Sequence, residues 1–305
     1  TLWAYEERGM PKRTWMAAVN EDYRITGFYR YGNTSQKVNN QVGRPTHSFD
    51  ESGFYYNADY DFKGNLLKKE HRFINDELLE GTSRFKVDWL NTHNPNNDTG
   101  AVFETNYGYD ALNRLVVNAL PEDVDGDHKK IYITYSRSGA LSKVTLGEEE
   151  YVKEIAYNAK GQRLLISFGN GVMNRYTYDP KNFRLLRMKA EKYTFSETAT
   201  ERTYAYNSGT NRQDLGYEYD LNGNILKKKN RTPDCGINGS TLGVDALDNQ
   251  YAYDAISRLL SASGRESDAN NESHRWADAP VAGSPNANNT QTYTRSYTYD
   301  KVGNI

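Results

Sequence analysis

Asp123, Asp125 and Asp127 alternate around Gly126. Carboxylates spaced along a glycine turn are the hard oxygen donors that Ca²⁺ requires. The later glutamate that completes an EF-hand loop is missing, and a solvated acidic turn explains the same residues, so no calcium site is assigned. Gly169-Asn170-Gly171 begins like a dinucleotide fingerprint. A strand-like run follows it, so no helix N-terminus would face a pyrophosphate, and a cofactor site is rejected. His47, His71, His93, His128, His274 and the single Cys235 show no metal-ligand spacing. No G-x-S-x-G elbow occurs. The sequence therefore nominates no catalytic, cofactor-binding or metal-binding residue.

What does recur is a turn. Arg175-Tyr176-Thr177-Tyr178-Asp179-Pro180-Lys181-Asn182-Phe183-Arg184-Leu185-Leu186 reads as strand, tight turn, strand. Tyr176 and Tyr178 are two apart and share one face of an extended chain. Asp then Pro suits a type I turn, with Asn182 expected at the position that tolerates positive φ. The place of Asp179 is filled elsewhere by Asp61, Asp110, Ser136, Asn158, Asn207, Asp220, Asp254 and Asp300. These short side chains accept a hydrogen bond from a backbone N–H two residues on. Three residues later stand Gly64, Asn113, Gly139, Gly161, Thr210, Gly223, Ser257 and Gly303. Most of these enter the left-handed region at little cost; Thr210 and Ser257 depart from the rule. A tyrosine precedes every turn, and in most copies a second tyrosine stands two residues before it. Such a repeat has to be read before any single residue.

These signals predict an all-β chain of antiparallel hairpins, because tight turns join only antiparallel neighbours. Residues 1–57 read as an irregular β-rich lead-in and 58–305 as one continuous repeat sheet. Asp76 to Glu80 reads as a short helix and Asn91 to Gly100 as a polar loop. Lys229–Asn249 and Ser267–Thr292 read as surface loops inserted between strands. An extra residue before the leucine pairs at Leu164-Leu165 and Leu185-Leu186 suggests a bulge in those two copies.

The chain has 305 residues, of which 37% are hydrophobic even with 25 tyrosines counted. Aliphatic side chains are too scarce for a thick, dry core, whereas a thin tyrosine-faced sheet suits the composition. At 13% aromatic it is not a disordered composition. A net charge of −2 with no basic stripe argues against nucleic acid. No apolar run is long enough to span a bilayer. The start at Thr1 and the stop at Gly303-Asn304-Ile305 suggest a piece of a longer polypeptide.

The repeated Y-x-Y-D-x-x-G-[NR]-[LI] resembles the YD repeat of RHS proteins. The stretch Ile155-Ala156-Tyr157-Asn158-Ala159-Lys160-Gly161-Gln162-Arg163, followed by Phe168-Gly169-Asn170-Gly171 and the Tyr176–Leu185 turn, resembles the RHS region of the toxin-complex B component. Tyr217–Ile225 and Tyr253–Leu260 resemble it too, and order and content agree from about Tyr60 to Ile305. The resemblance implies a curved, spiralling β-sheet that forms part of a hollow shell around a toxic C-terminal cargo. It implies a noncatalytic role, a secreted or cell-surface bacterial location, and partnership with the rest of its own polypeptide or a C-type toxin component. Asp179-Pro180 is similar to the start of the family's self-cleavage motif, but Lys181, Asn182 and Phe183 do not continue it, and the turn explains the pair.

A second class of function is a cell-surface adhesion module that binds glycan, since tyrosine rings can stack on sugars or grip unfolded polypeptide. Packing of the rings across neighbouring strands is the reading adopted for most of them. A glycosidase ranks last, because no acid–base pair stands apart. An open sheet with unpaired edges should dimerise or aggregate unless loops cover them. A clean monomer in sedimentation at high concentration would count against that expectation.

Overall fold

Each Asp-x-x-Gly stretch closes a hairpin. In the first regular copy Gly64 N–H donates to Asp61 O (3.1 Å) and Asp61 N–H to Asn65 O (2.9 Å). Gly64 has φ 98°. This is a type I turn followed by a left-handed residue, the standard three-residue hairpin loop. Asn113 (φ 62°) and Ser257 (φ 66°) hold the same conformation, so the serine turn forms despite its side chain.

A computed structural model describes residues 1–6, 9–17, 22–79, 87–89, 94, 99–198, 201–233, 241–267, 288 and 290–304, with backbone only at 79, 207–210 and 267. Cys235, His93, His274, most of 91–100, and the interiors of the loops at 234–240 and 268–287 lie outside the described residues. The chain is nearly all antiparallel β and divides into two compact units, Thr1–Thr134 with Val144–Glu149, and Tyr135–Lys143 with Glu150–Ile305.

In the first unit the strands are β1 (Leu2–Tyr5), β2 (Pro11–Met16), β3 (Arg24–Tyr31), β4 (Pro45–Asp50), β5 (Gly53–Tyr60), β6 (Leu66–Ile74), β7 (Thr99–Tyr109), β8 (Leu115–Ala119) and β9 (Lys130–Tyr135). Each pairs antiparallel with the next. The helix expected at Asp76–Glu80 is α1 (Asp76–Leu79). β5 runs through position 57 without a break and pairs on both sides. The core is aromatic: the rings of Phe28 and Phe49 stack at 3.8 Å, and Phe54 follows at 5.0 Å from Phe49. Val87 and Trp89 close over them, fully buried.

β10 (Leu141–Leu146) divides its residues between the two units. The second unit continues with β11 (Glu149–Tyr157), β12 (Arg163–Phe168), β13 (Val172–Tyr178), β14 (Leu185–Glu197), β15 (Arg202–Tyr219), β16 (Ile225–Asn230), β17 (Asn249–Tyr253), β18 (Leu259–Ser267) and β19 (Thr290–Ser296). From β11 onward, consecutive strands again pair antiparallel. Gly169-Asn170-Gly171 is the β12–β13 turn: Gly171 N–H donates to Phe168 O, and a Cβ on Gly169 would sit 1.6 Å from Glu150 O. No cofactor geometry is involved.

Three sequence expectations are corrected. The turn expected at Asn207 does not exist, because β15 continues through it. Tyr206 pairs with Tyr193 and Asn211 with Glu191, so the intervening residues form a wide bulge. The bulge lets the outer part of the β14–β15 hairpin fold over β11–β13: Tyr193 O–H donates to Phe168 O (2.7 Å), and Tyr204 O–H to Glu154 Oε2 (2.5 Å). Met173, Ser167 and Glu191 are buried beneath it. The bulge beside the leucine pair is also not special to two copies. Six hairpins share it, the unpaired residue being Leu67, Val116, Leu164, Leu186, Leu226 or Leu260. The extra residue after Asp179 lies in the turn itself, where Phe183 rather than Asn182 takes positive φ (63°).

Candidate functional site: the tyrosine and aspartate rows

The turn carboxylates are wired alike. Asp110 Oδ1 accepts from the N–H groups of Leu112 (2.9 Å) and Arg114 (3.0 Å), and Oδ2 accepts from Arg114 Nε (2.7 Å). Asp254 does the same with Ile256 and Arg258. In Asp61, Asp220 and Asp300 an asparagine four residues on takes the arginine's place. This explains the Asn or Arg four residues after each of these five aspartates. Asn158 keeps the backbone bonds through its amide oxygen and donates Nδ2 to Gln162 Oε1 (2.9 Å).

Asp123 belongs to this series. It accepts from the N–H groups of Asp125 and Asp127 (3.0 Å each), Gly126 has φ 85°, and Lys129 Nζ lies 2.6 Å from Oδ2. The lysine occupies the carboxylate that a cation would need. Among the described residues no cluster of His, Cys, Asp or Glu could hold a metal ion.

These bonds favour the ionised carboxyl. The Arg114 side chain holds Asp110 below its ordinary value, as Asn224 does Asp220 and Asn304 does Asp300. The backbone N–H of Arg258 leads for Asp254, and that of Lys181 for Asp179. Lys129 brings Asp123 to about 2. A carboxyl whose folded value is lowered contributes stability that is complete above its unfolded value and lost as the pH falls through the folded one. These carboxyls add stability that is level down to about pH 4.5 and is lost below it. Burial lowers His47 to about 4 and also lowers His71, so below about pH 6.5 the unfolded chain takes up protons there that the folded one does not, and stability should begin to fall near that pH. Equilibrium unfolding across this range checks it; a curve flat down to about 4.5 would contradict it.

In four copies the tyrosine before the turn reaches back one hairpin. Tyr157 O–H donates to Leu141 O (2.9 Å), Tyr178 to Arg163 O (3.0 Å), Tyr219 to Leu185 O (2.7 Å) and Tyr299 to Leu259 O (2.9 Å). Each acceptor is the residue that restarts the chain after the preceding turn. In the first unit Tyr60 O–H donates to Pro45 O (2.7 Å). The rings pair across strands with the first residue of the return strand, as Tyr219 does with Ile225 and Tyr253 with Leu259. Residues between the tyrosines, Thr177, Glu218 and Ala252, are exposed on the other face. Tyr219→Phe should cost about 1 kcal/mol by removing one hydrogen bond, with faster hydrogen exchange near Leu185.

Neighbouring turns are also joined. Asn65 Nδ2 donates to Asn113 Oδ1 (3.0 Å), Gln162 Nε2 to Phe183 O (2.7 Å), and Asn224 Nδ2 to Ser257 Oγ (3.0 Å). Arg184 reaches Leu221 O (2.7 Å) and Asp220 O.

No family model matches the chain. Over 99% of its length it is 30% identical to toxin subunit YenC2 of Yersinia entomophaga, and 29% identical to toxin subunit YenC1 of the same organism. It spans about 30% of the length of these relatives. The crystal structure of TcdB2-TccC3 without its hypervariable C-terminal region matches 98% of this chain at a TM-score of 0.70 and 25% identity, using 13% of that chain. Over nearly its whole length the chain is similar to subunits of toxin complexes. The Photorhabdus luminescens Tc holotoxin pore has the same fold over 99% of the chain, at 24% identity and a TM-score of 0.69.

The non-tyrosine face of the second unit carries buried carboxylates. Glu191 is held by Arg175, whose guanidinium lies 3.7 Å from the Tyr206 ring centroid. Arg187 grips Asp214 through two nitrogens, at 2.7 and 2.5 Å. Asp248 takes Arg231 and Lys227 (3.2 Å), whose bonds outweigh the upward push of burial and keep it below its ordinary value. Every one of these groups faces a cation, and the set offers no general acid and base. Sequence reading missed the ion pairs, since their partners meet only across strands. Among the described residues no helix is long and apolar enough to cross a membrane.

Proposed function

We propose that this chain is a noncatalytic stretch of the wall of an RHS shell that encloses a toxic cargo in a secreted toxin-complex subunit. The observation that carries the reading is the bonding of neighbouring hairpins through tyrosine hydroxyls, as at Tyr219, and through turn side chains, as at Asn65 and Asn224. A sheet built this way holds itself together with few aliphatic residues, which suits a wall with two accessible sides. The sequence resemblance points to the B component, while the curated relatives are the subunits YenC1 and YenC2 and the matched structure joins TcdB2 with TccC3. The proposal therefore rests on what these share. The partners would be the remainder of its own polypeptide or the complementary subunit, and the cargo.

A wall separates two compartments, and that can be measured. Thr177 and Met188 are on opposite faces, since Met188 pairs with Tyr176. Thr177→Cys and Met188→Cys are introduced separately, with Cys235→Ser, into the full-length protein assembled with its partners. A polymer-coupled maleimide too large to enter a closed shell should label only one of the two until the protein is unfolded. Equal labelling of both in the folded assembly would overturn the proposal.

A further inference from the structure

The Asp179 turn is the one in the second unit whose geometry departs from the rest. Its extra residue puts Phe183 into the left-handed region at φ 63°, a conformation that is costly for a bulky side chain. Strain of this kind marks a place where surrounding structure imposes it, and is a reason to look for function. The same insertion moves the usual partner of the second carboxylate oxygen out of reach. Asp179 Oδ1 accepts from Lys181 N–H (2.7 Å) and Asn182 N–H (3.1 Å). In Asp61, Asp110, Asp220, Asp254 and Asp300 the other oxygen is taken by the residue four further on. Arg184 instead leaves for the Asp220 turn. No donor among the described residues reaches Asp179 Oδ2.

Both features border one recess of about 420 Å³ between the Asn158 and Asp179 turns. Tyr176, Tyr178, Phe183 and Leu164 form its apolar lining, and Asp179 and Lys160 its polar edge. Lys160 Nζ lies 3.2 Å from the Phe183 ring centroid.

We infer that this recess binds a neutral pyranose sugar. The aromatic rings offer flat apolar surfaces to the C–H face of a sugar ring. The free Asp179 oxygen accepts from hydroxyls, and the Lys160 ammonium donates to a hydroxyl or ring oxygen. The charges decide between ligand classes. A guest cation would compete with Lys160, already seated on the Phe183 ring, and would meet Lys181 and Arg184, whose charges act on Asp179. A guest anion would meet the unpaired carboxylate. A neutral polyol avoids both conflicts. This goes beyond the wall reading, which stands or falls by the labelling test regardless of sugar binding.

The test is saturation-transfer NMR on the full-length protein with methyl glycosides of glucose, galactose, mannose and N-acetylglucosamine. At least one should receive saturation on one ring face, with a dissociation constant of about 1–10 mM. Tyr176→Ala and Asp179→Asn should each weaken it by about tenfold or more, roughly 1.4 kcal/mol. Asp179→Asn keeps the turn, because the amide oxygen of Asn158 likewise accepts two backbone bonds in the preceding copy, one of them from the residue two further on. No transfer to any glycoside at about 10 mM, or transfer unchanged in both variants, overturns the inference. So does binding of a lysine-rich peptide, lost in Asp179→Asn, in place of any sugar.

Discussion

Arg175→Leu should destabilise the second unit by about 3 kcal/mol, the lower part of the range for stranding one member of a buried ion pair. Glu191 is 1% exposed, and its Oε1 is bonded to Arg175. Its Oε2 has no hydrogen-bond partner. The guanidinium is therefore what makes a charge tolerable beneath the folded-over hairpin. The pair as a whole adds little, since desolvating both charges consumes most of their attraction. Arg175→Leu with Glu191→Leu should accordingly recover most of the loss. Hydrogen exchange of β13–β15 amides reads the second unit separately, which matters because two units need not unfold together. A double variant no more stable than Arg175→Leu alone would show that the charge is not the cause.

Trp89→Ala should cost the first unit about 3–5 kcal/mol. Trp89 is fully buried, meets the Phe49 ring edge-on at 5.5 Å, and donates Nε1–H to Asp50 O (2.8 Å). Its removal leaves a cavity over the Phe28–Phe49–Phe54 stack and takes from the Asp50 carbonyl its indole donor. Trp89→Phe should cost about 1–2 kcal/mol, mainly the lost hydrogen bond. Exchange at β3–β5 is the readout, and equal losses in both variants would mean that ring volume is not what matters.

The hairpin rows were legible because their determinants are local. An acceptor side chain at the first turn position and a residue able to take positive φ at the fourth are enough to close a turn. The bonds of Asp220 and Asp254 were readable as such from spacing alone. Asn207 satisfied part of that pattern, yet Thr210 stood in the left-handed place, and pairing with β14 won. Phe183 was misassigned because one added residue shifts which backbone must turn, and Asn182 was the better candidate by side chain only. Trp89 ends the alternation Phe85-Lys86-Val87-Asp88-Trp89, a strand-like signal that was passed over because no repeat turn flanks it. The Arg175–Glu191 pair and the recess beside Asp179 depend on which strands lie side by side, and register across strands is not written in either strand's own sequence. The extra residue after Asp179 was visible in the sequence, but the freed carboxylate oxygen it produces was not.

Because Tyr157, Tyr178 and Tyr219 each grip the hairpin before their own, this part of the repeat behaves as a zipper whose teeth mesh one neighbour at a time. Gain or loss of a whole hairpin by duplication or deletion would preserve the rule of assembly, and a damaged tooth would loosen its neighbours before distant ones. Evolution could thus resize such a sheet in whole-hairpin steps.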